Sequence, residues 1–291
     1  MKIQNLTLPL LTDYQLLDAG HEEKLETIAG YTVIRGEPQA IWHPYLPQSE
    51  WQKASATHLA GQRNDAWRIK QQSPANWKFR WNELTFLLRL TQFKHVGVFP
   101  ENAIHWEWMQ TKIKAANRPI NVLNLFAYTG GGTLAALSAG ASVTHVDASK
   151  GTVTWARENA EASKLADKPV RWIVDDVLTY VRREIKRGKK YDGIIIDPPK
   201  FGHGSSGQLW KFEQDFAKLL QMCQELLSEQ PLFVLVNAYA VPYSPVTVGQ
   251  VVQQQLKLDS TVECGEVFIP FGSEKNLAIA MYARWANNAI G

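Results

Sequence analysis

From about residue 115 onward, short apolar runs alternate with longer helical stretches, five times in succession. The runs are 120–126 (INVLNLF), 142–146 (SVTHV), 170–174 (VRWIV), 191–196 (YDGIII) and 231–236 (PLFVLV). Helices are expected between them at 132–139, 150–164, 177–187 and 208–229. Runs of this kind are buried on both faces, and each crossover returns the chain to lay the next strand parallel to the last. The fold class is therefore α/β with a parallel sheet. Ser244 and Pro245 are placed as the cap and first residue of one more helix, over 245–257. Two final strands, about 260–269 and 276–285, joined by PFGSEKN, read as an antiparallel hairpin.

Before residue 95 the character is different. YTVIRGEPQAIWHPYLP and AWRIKQQSPANWKFRW break short apolar runs with turn residues, and seven of the eleven tryptophans (Trp42, Trp51, Trp67, Trp77, Trp81, Trp106, Trp108) precede residue 110. A small aromatic-rich, mostly β subdomain is expected over 1–95, with the main domain over 96–291. No window reaches 18 consecutive apolar residues, and MKIQNLTLPLLTDYQ lacks a basic segment followed by a long apolar run. Neither a membrane span nor a secretory leader is expected. The two cysteines, Cys223 and Cys264, have no metal-like spacing, so the expectation is a cytoplasmic protein without disulfides or a metal site. A net charge of +3 permits a nucleic-acid partner without requiring one.

The turn after the first run, NLFAYTGGGTLAALSAGA, sets Gly130, Gly131 and Gly132 at a helix start. Glycine there allows tight turning and close approach of a ligand, beside the free amides of the helix terminus. The second run ends in Asp147, where a carboxylate can accept from both hydroxyls of a ribose. The third ends in Asp175-Asp176-Val177, where an acid can take an adenine amino group. The same residues would also serve as turn glycines and helix caps. Because the turn reads T-G-G-G-T rather than G-x-G-x-x-G, it suits a ligand with adenosine and no pyrophosphate, which points to S-adenosylmethionine.

NLFAYTGG, HVDASKGTVTWARENA, VDDVLTYV and DGIIIDPPKF resemble the consecutive motifs of class I S-adenosylmethionine-dependent methyltransferases. More narrowly, they resemble the bacterial branch containing the large-subunit ribosomal RNA methyltransferases that modify cytosine C5 or guanine N7. The likeness covers roughly residues 95–285. It implies a Rossmann-like seven-stranded sheet closed by the terminal hairpin, S-adenosylmethionine as cofactor and S-adenosylhomocysteine as product. It further implies that Phe126, Tyr128, Thr129 and Gly130 contact the methionine part and Asp147 the ribose. Ser149 and Lys150 would lie at the pocket edge, Asn159 would support it, and Asp176 with the Val177 backbone would take the adenine. KHVGVFPENAIHWEWM resembles the segment that lends Phe99 and Glu101 to the same pocket.

The element IIIDPPKF then carries the chemistry. A methyl sulfonium needs little activation, so the task is to hold a nucleophile in line with it. Asp197 and the Pro198 carbonyl can accept from a planar amino group, Pro199 stiffens the turn, and Phe201 can stack on the attached ring beside Lys200. The resemblance supports that role for D-P-P-[aromatic]; a strand-ending turn with a helix-capping Asp is the plainer alternative. The glycine-serine loop GHGSSG reads as a gate, with His203 either solvated or near substrate. Cytosine C5 methylation needs a thiolate. The stretch after the fifth run, VLVNAYAVPYS, has none, and both cysteines read as core, so a nitrogen is the expected target.

Two clusters bear on the substrate. RREIKRGKK holds six basic residues in nine positions but precedes the fourth strand, at the end of the sheet away from ligands. A solvated helix end is expected there. NWKFRWNELTFLLRLTQFKH interleaves aromatics and cations, which suits stacking on single-stranded bases and equally suits a sheet with one buried aromatic face. The combined expectation is a methyltransferase acting on RNA, with a protein side chain as the alternative substrate. A nicotinamide-dependent oxidoreductase or a non-catalytic binding module fits less well, and oligomeric state is left open.

Overall fold

The computed structural model describes residues 1–59, 66–92, 94–204, 207–258 and 260–287. It divides into two compact units. One comprises Met1–Leu6, Ile104–Val267 and Ala280–Gly291, the other Thr7–Ala103 and Phe268–Ile279.

The five expected parallel strands form at Asn121–Leu125, Ser142–Asp147, Val170–Val174, Gly193–Ile196 and Phe233–Ala238, called the first to fifth strands below. Across the sheet the order is third, second, first, fourth, fifth, then Lys275–Ala286 antiparallel to the fifth, then Glu263–Phe271. Lys2–Ile3 and Leu6–Thr7 add short strands against Glu263–Phe271, making nine among the described residues. The first strand pairs with the second on one side and with the fourth on the other, so the strand order reverses there. Ligands of such sheets bind outside the carboxyl ends at that reversal.

Burial explains why the runs read as they do. Ile194, Ile196, Val234, Val236, Leu123 and Leu125 are all fully buried in one cluster, joined by Val177, Tyr180 and Val181 of one helix and Phe216, Leu219 and Leu220 of another. Each such side chain contributes about 1.5–3 kcal/mol of transfer free energy. The helices between the strands are Gly131–Ser138, Lys150–Ala162, Val177–Lys186 and Phe212–Gln224, with Pro245–Gln255 following the fifth strand. The Ser244 hydroxyl accepts from the Thr247 amide and Pro245 stands at the first helical turn, as its sequence position implied.

One expected helix is corrected. The stretch 208–229 does not begin as helix: Leu209–Lys211 is a strand antiparallel to Phe201–His203, and the helix starts at Phe212. Tertiary bonds outweigh local preference there. The Trp210 indole donates to the Pro199 carbonyl at 2.7 Å and the Phe212 amide to the Lys200 carbonyl at 3.0 Å.

In the other unit, strands Tyr14–Gly20, Glu23–Ile28, Tyr31–Gly36, Ala56–Leu59 and Ala66–Ile69 form a five-stranded sheet, beside a hairpin of Lys78–Trp81 and Leu84–Leu87. Trp77, Phe79, Trp81 and Phe86 are buried while Arg80 is exposed. The aromatics of NWKFRW are thus an inner sheet face, and rings so buried have no surface to offer a base. The tryptophan indoles serve the backbone. Trp42 donates to the Ala19 carbonyl, Trp67 to Thr91 and Trp77 to Ile28, at 2.7–2.8 Å. Trp51 donates to the buried Asp18 carboxylate at 2.9 Å, satisfying indole and acid together. Among the described residues no helix is long and apolar enough to cross a membrane.

Candidate active site

Asp147, last residue of the second strand, organises the carboxyl edge of the sheet. Its Oδ2 accepts from the Tyr128 amide at 2.9 Å, and its Oδ1 from the Ser149 amide at 2.9 Å and the Thr152 hydroxyl at 2.8 Å. A carboxylate offers about four acceptor positions, so three bonds fix its orientation and leave capacity for another donor.

The turn beside it is held in an uncommon conformation. Phe126, Tyr128 and Gly130 have φ of 55°, 48° and 93°, so left-handed residues alternate through the turn. For the two aromatics this costs on the order of 1–2 kcal/mol each, which the surroundings must offset. Four bonds do so. Besides the Tyr128 amide on Asp147, the Ala127 amide reaches Val146 at 3.0 Å, the Gly130 amide reaches Ala127 at 2.9 Å, and the buried Asn159 amide group donates to the Thr129 carbonyl at 2.9 Å. Strain of this kind, held so firmly, is characteristic of functional sites.

The glycines answer to packing as much as to any ligand. A Cβ on Gly131 would lie 2.6 Å from the Trp106 ring, and Gly130, besides its positive φ, has Ala156 at 3.2 Å from the corresponding position. The helix they open therefore sits closer to its neighbours than any side chain would allow.

The plainer reading of these acidic residues, as structural partners, is observed. Asp175 pairs with Arg183, while Asp176 caps the helix Val177–Lys186 by accepting from the Thr179 amide at 2.8 Å. That bond uses Oδ1. Oδ2 of Asp176 faces the backbone of Gly204, where a Cβ would stand 2.8 Å from it. The Ser149 hydroxyl caps the helix Lys150–Ala162, and both Ser149 and Lys150 are exposed at its start. Two separate acids at neighbouring strand ends, one beside a strained turn, suit the hydroxyls and the amine of an adenosine.

Leu125 of the first strand pairs with Ile196 of the fourth, and the Asp197 amide donates to the Leu125 carbonyl at 3.3 Å. Asp197 consequently adjoins Phe126 at the carboxyl edge and is half-buried. Pro198 is buried and Pro199 exposed. No donor among the described residues reaches the Pro198 carbonyl, whereas the Pro199 carbonyl is taken by Trp210. Phe201 is 56% exposed, with the Lys200 ammonium 5.4 Å from its ring centre. Beneath them the Phe126 and Trp210 rings lie 4.8 Å apart. Trp210 and Thr152 were not singled out from the sequence. Trp210 looked like the start of a helix, and nothing local distinguishes the Thr152 hydroxyl. The His203 side chain and residues 205 and 206 of the loop lie outside the described residues.

Phe99 and Glu101 belong to the other unit. Phe99 contacts the His95 ring at 4.9 Å. Burial raises the Glu101 carboxyl above the usual carboxylate range, against the opposing pull of the Lys24 and Arg35 cations. Those cations are part of a buried ionic group in which Arg35 bonds Glu26 at 2.5 Å and Lys24 lies 3.7 Å from Glu37.

The basic run RREIKRGKK is structural in its contacts. Arg187 pairs with the buried Glu184 at 2.9 Å, Arg183 with Asp175, and Lys190 donates to the Glu225 carbonyl at 2.8 Å. Cys223 and Cys264 are buried and free, and burial raises the Cys223 thiol well above its ordinary range. It is therefore not a thiolate.

The model of the S-adenosylmethionine-dependent methyltransferase family matches residues 13–245. Among solved structures, a SAM-dependent methyltransferase from Agrobacterium tumefaciens is 36% identical with a TM-score of 0.92, covering 98% of this chain and 95% of that one. Among curated proteins, the ribosomal RNA large subunit methyltransferase K/L of Alteromonas mediterranea is 36% identical over 158 residues, 54% of this chain. The ribosomal RNA large subunit methyltransferase I of Escherichia coli is 38% identical over 109 residues, 37% of this chain. The matched regions span only 22% and 27% of the lengths of those two relatives.

Proposed function

The chain belongs to the S-adenosylmethionine-dependent methyltransferases, and from that premise we propose that it methylates a base nitrogen of ribosomal RNA. The observation carrying this reading is the pairing of Leu125 with Ile196, which sets Asp197 beside the strained turn Phe126–Gly130. The names of the relatives matched over 54% and 37% of the chain support RNA as substrate.

The residues present fit the cofactor. Asp147 keeps acceptor capacity for ribose hydroxyls, and Asp176, with the Val177 backbone, has one oxygen not engaged in its cap. Phe126, Tyr128, Thr129 and Gly130 form the surface for the methionine part, with Asn159 holding Thr129 from behind. Ser149 and Lys150 border the ribose. S-adenosylmethionine supplies a methyl group on a sulfonium.

Asp197 and the Pro198 carbonyl accept the hydrogens of the target nitrogen, turning its lone pair toward that methyl. As the new N–C bond forms and the S–C bond breaks, positive charge develops on the nitrogen, and the Asp197 carboxylate stabilises it. The proton then leaves the nitrogen to water. Pro199 and Lys200 hold the turn, and Phe201 supplies a face for the base. Buried, protonated cysteines favour nitrogen over a thiolate-dependent carbon target, and free thiols suit the reducing cytoplasm.

Mass spectrometry of nucleosides from ribosomal RNA, with and without the protein in the cell, tests the reading. One methylated nucleoside should vanish without it. If all persist, the substrate is not RNA, and a protein side chain becomes the one to pursue.

A further inference from the structure

The substrate side of the carboxyl edge has a second aromatic that no motif marks. Within the unit built on Ile104–Val267, Phe201 and Tyr243 are the two aromatic side chains, among the described residues, that leave more than a third of their surface exposed, at 56% and 37%. Both belong to the end of the sheet that carries Asp197. Ile196 pairs with Val236, so the fifth strand, running on through Asn237 and Ala238 toward Tyr243, leaves the sheet next to the Asp197 turn.

Two contacts tie Tyr243 to that turn. The Phe212 amide donates to the Lys200 carbonyl at 3.0 Å, and the Phe212 ring lies 6.0 Å from the Tyr243 ring, tilted by 34°. Phe212 therefore stands between the backbone of the catalytic turn and Tyr243. The backbone at Tyr243 is also constrained. Pro242 precedes it, and Ser244 and Pro245 follow as the bonded cap and first turn of a helix. Ala240, just upstream, is held at a φ of 53°. An exposed ring on so restricted a backbone loses little conformational entropy when a flat partner covers it.

Resting on the reading that RNA is the substrate, we propose that Tyr243 is a second stacking surface for the target base, opposite in origin to Phe201. It comes from the fifth-strand loop, whereas Phe201 comes from the fourth. A base embraced by rings from two loops has both faces free of neighbouring bases. The substrate class is thus an unpaired nucleotide in a loop or bulge, drawn out of its stack.

The test compares wild type, Tyr243→Ala and Tyr243→Phe in two assays. In the first, labelled methyl transfer to in-vitro-transcribed large-subunit ribosomal RNA is measured alongside calorimetry with S-adenosylhomocysteine. Tyr243→Ala should raise KM for RNA about tenfold, the effect of losing one base stack. Its affinity for S-adenosylhomocysteine should stay within about twofold of wild type, and Tyr243→Phe should behave as wild type. An unchanged KM in Tyr243→Ala, or a Phe variant as impaired as the Ala variant, overturns the stacking role. In the second assay, a single-stranded RNA carrying 2-aminopurine reports stacking through quenching, independently of turnover. Absence of methyl transfer by wild type would sink the RNA-methylation reading alone. Quenching would still decide Tyr243: lost in Tyr243→Ala and retained in Tyr243→Phe if it stacks, equal in all three if it does not.

Discussion

The Tyr128 amide donates to Oδ2 of Asp147 at 2.9 Å, so the end of the second strand holds the turn that leaves the first. On the proposed reading, one carboxylate thereby shapes the surface for one part of the cofactor while keeping capacity to bind another. Asp147→Ala removes three hydrogen bonds at once, and each bond to a charged group contributes about 1.5–3 kcal/mol. Calorimetry with S-adenosylhomocysteine should show affinity weakened by about 100-fold or more. A change under threefold would mean that Asp147 does not touch the cofactor.

Asp197 should separate binding from turnover. Asp197→Ala removes the carboxylate proposed to face the nascent charge, and loss of one such electrostatic group lowers kcat by about 10²–10³. The half-buried Asp197 carries its bond to Leu125 through the backbone amide, which the substitution leaves in place. Affinity for S-adenosylhomocysteine should accordingly change little. Normal single-turnover rates in this variant would place the chemistry elsewhere.

Gly131 and Trp106 form a steric pair. Gly131→Ala puts a methyl 2.6 Å from the Trp106 ring, which should lower stability by about 1–3 kcal/mol. Trp106→Phe removes the part of the indole that is struck, so the double variant should be more stable than additivity predicts. Urea unfolding of all four proteins gives the coupling energy, and a value near zero would show that the helix shifts freely.

Acid should destabilise the unit built on Ile104–Val267 before carboxylates titrate. Burial, aided by the Arg284 cation, lowers His105 to about 3, and burial with the Arg157 cation does the same for His145. Unfolded histidine titrates near 6.5, so below that pH the unfolded chain takes up protons that the folded one refuses. Stability is full above about pH 6.5 and falls toward pH 3, by about 1.4 kcal/mol per pH unit for each histidine. Unfolding free energies at pH 7 and pH 5 should differ by less in His105→Phe than in wild type. Equal pH slopes would mean that His105 becomes protonated while folded.

The parallel sheet was legible in the sequence because burial on both faces leaves uninterrupted apolar runs, and their alternation with helices permits few topologies. The caps at Asp176 and Ser244 were legible for a similar reason, since a capping side chain acts within three residues of itself. The strand Leu209–Lys211 was not. Three residues carry no period, and what holds them is the Trp210 indole on a carbonyl eleven residues away. NWKFRW alternates in a way that suits either a wet binding face or a buried one, and only the packing around Phe79 and Phe86 decides between them.

The strand-ending acids and Asp197-Pro198-Pro199-Lys200-Phe201 were determined by the sequence itself, because position at a strand's end is a local property of the chain. Which of them meet was decided by strand order and register. Leu125 beside Ile196 and Ile196 beside Val236 bring Phe126, Asp197 and the approach to Tyr243 to one edge, although more than a hundred residues separate the first from the last. Such pairings are made by backbone groups that are identical in every residue. Local sequence carries no mark of its partner, and only the assembled sheet selects it.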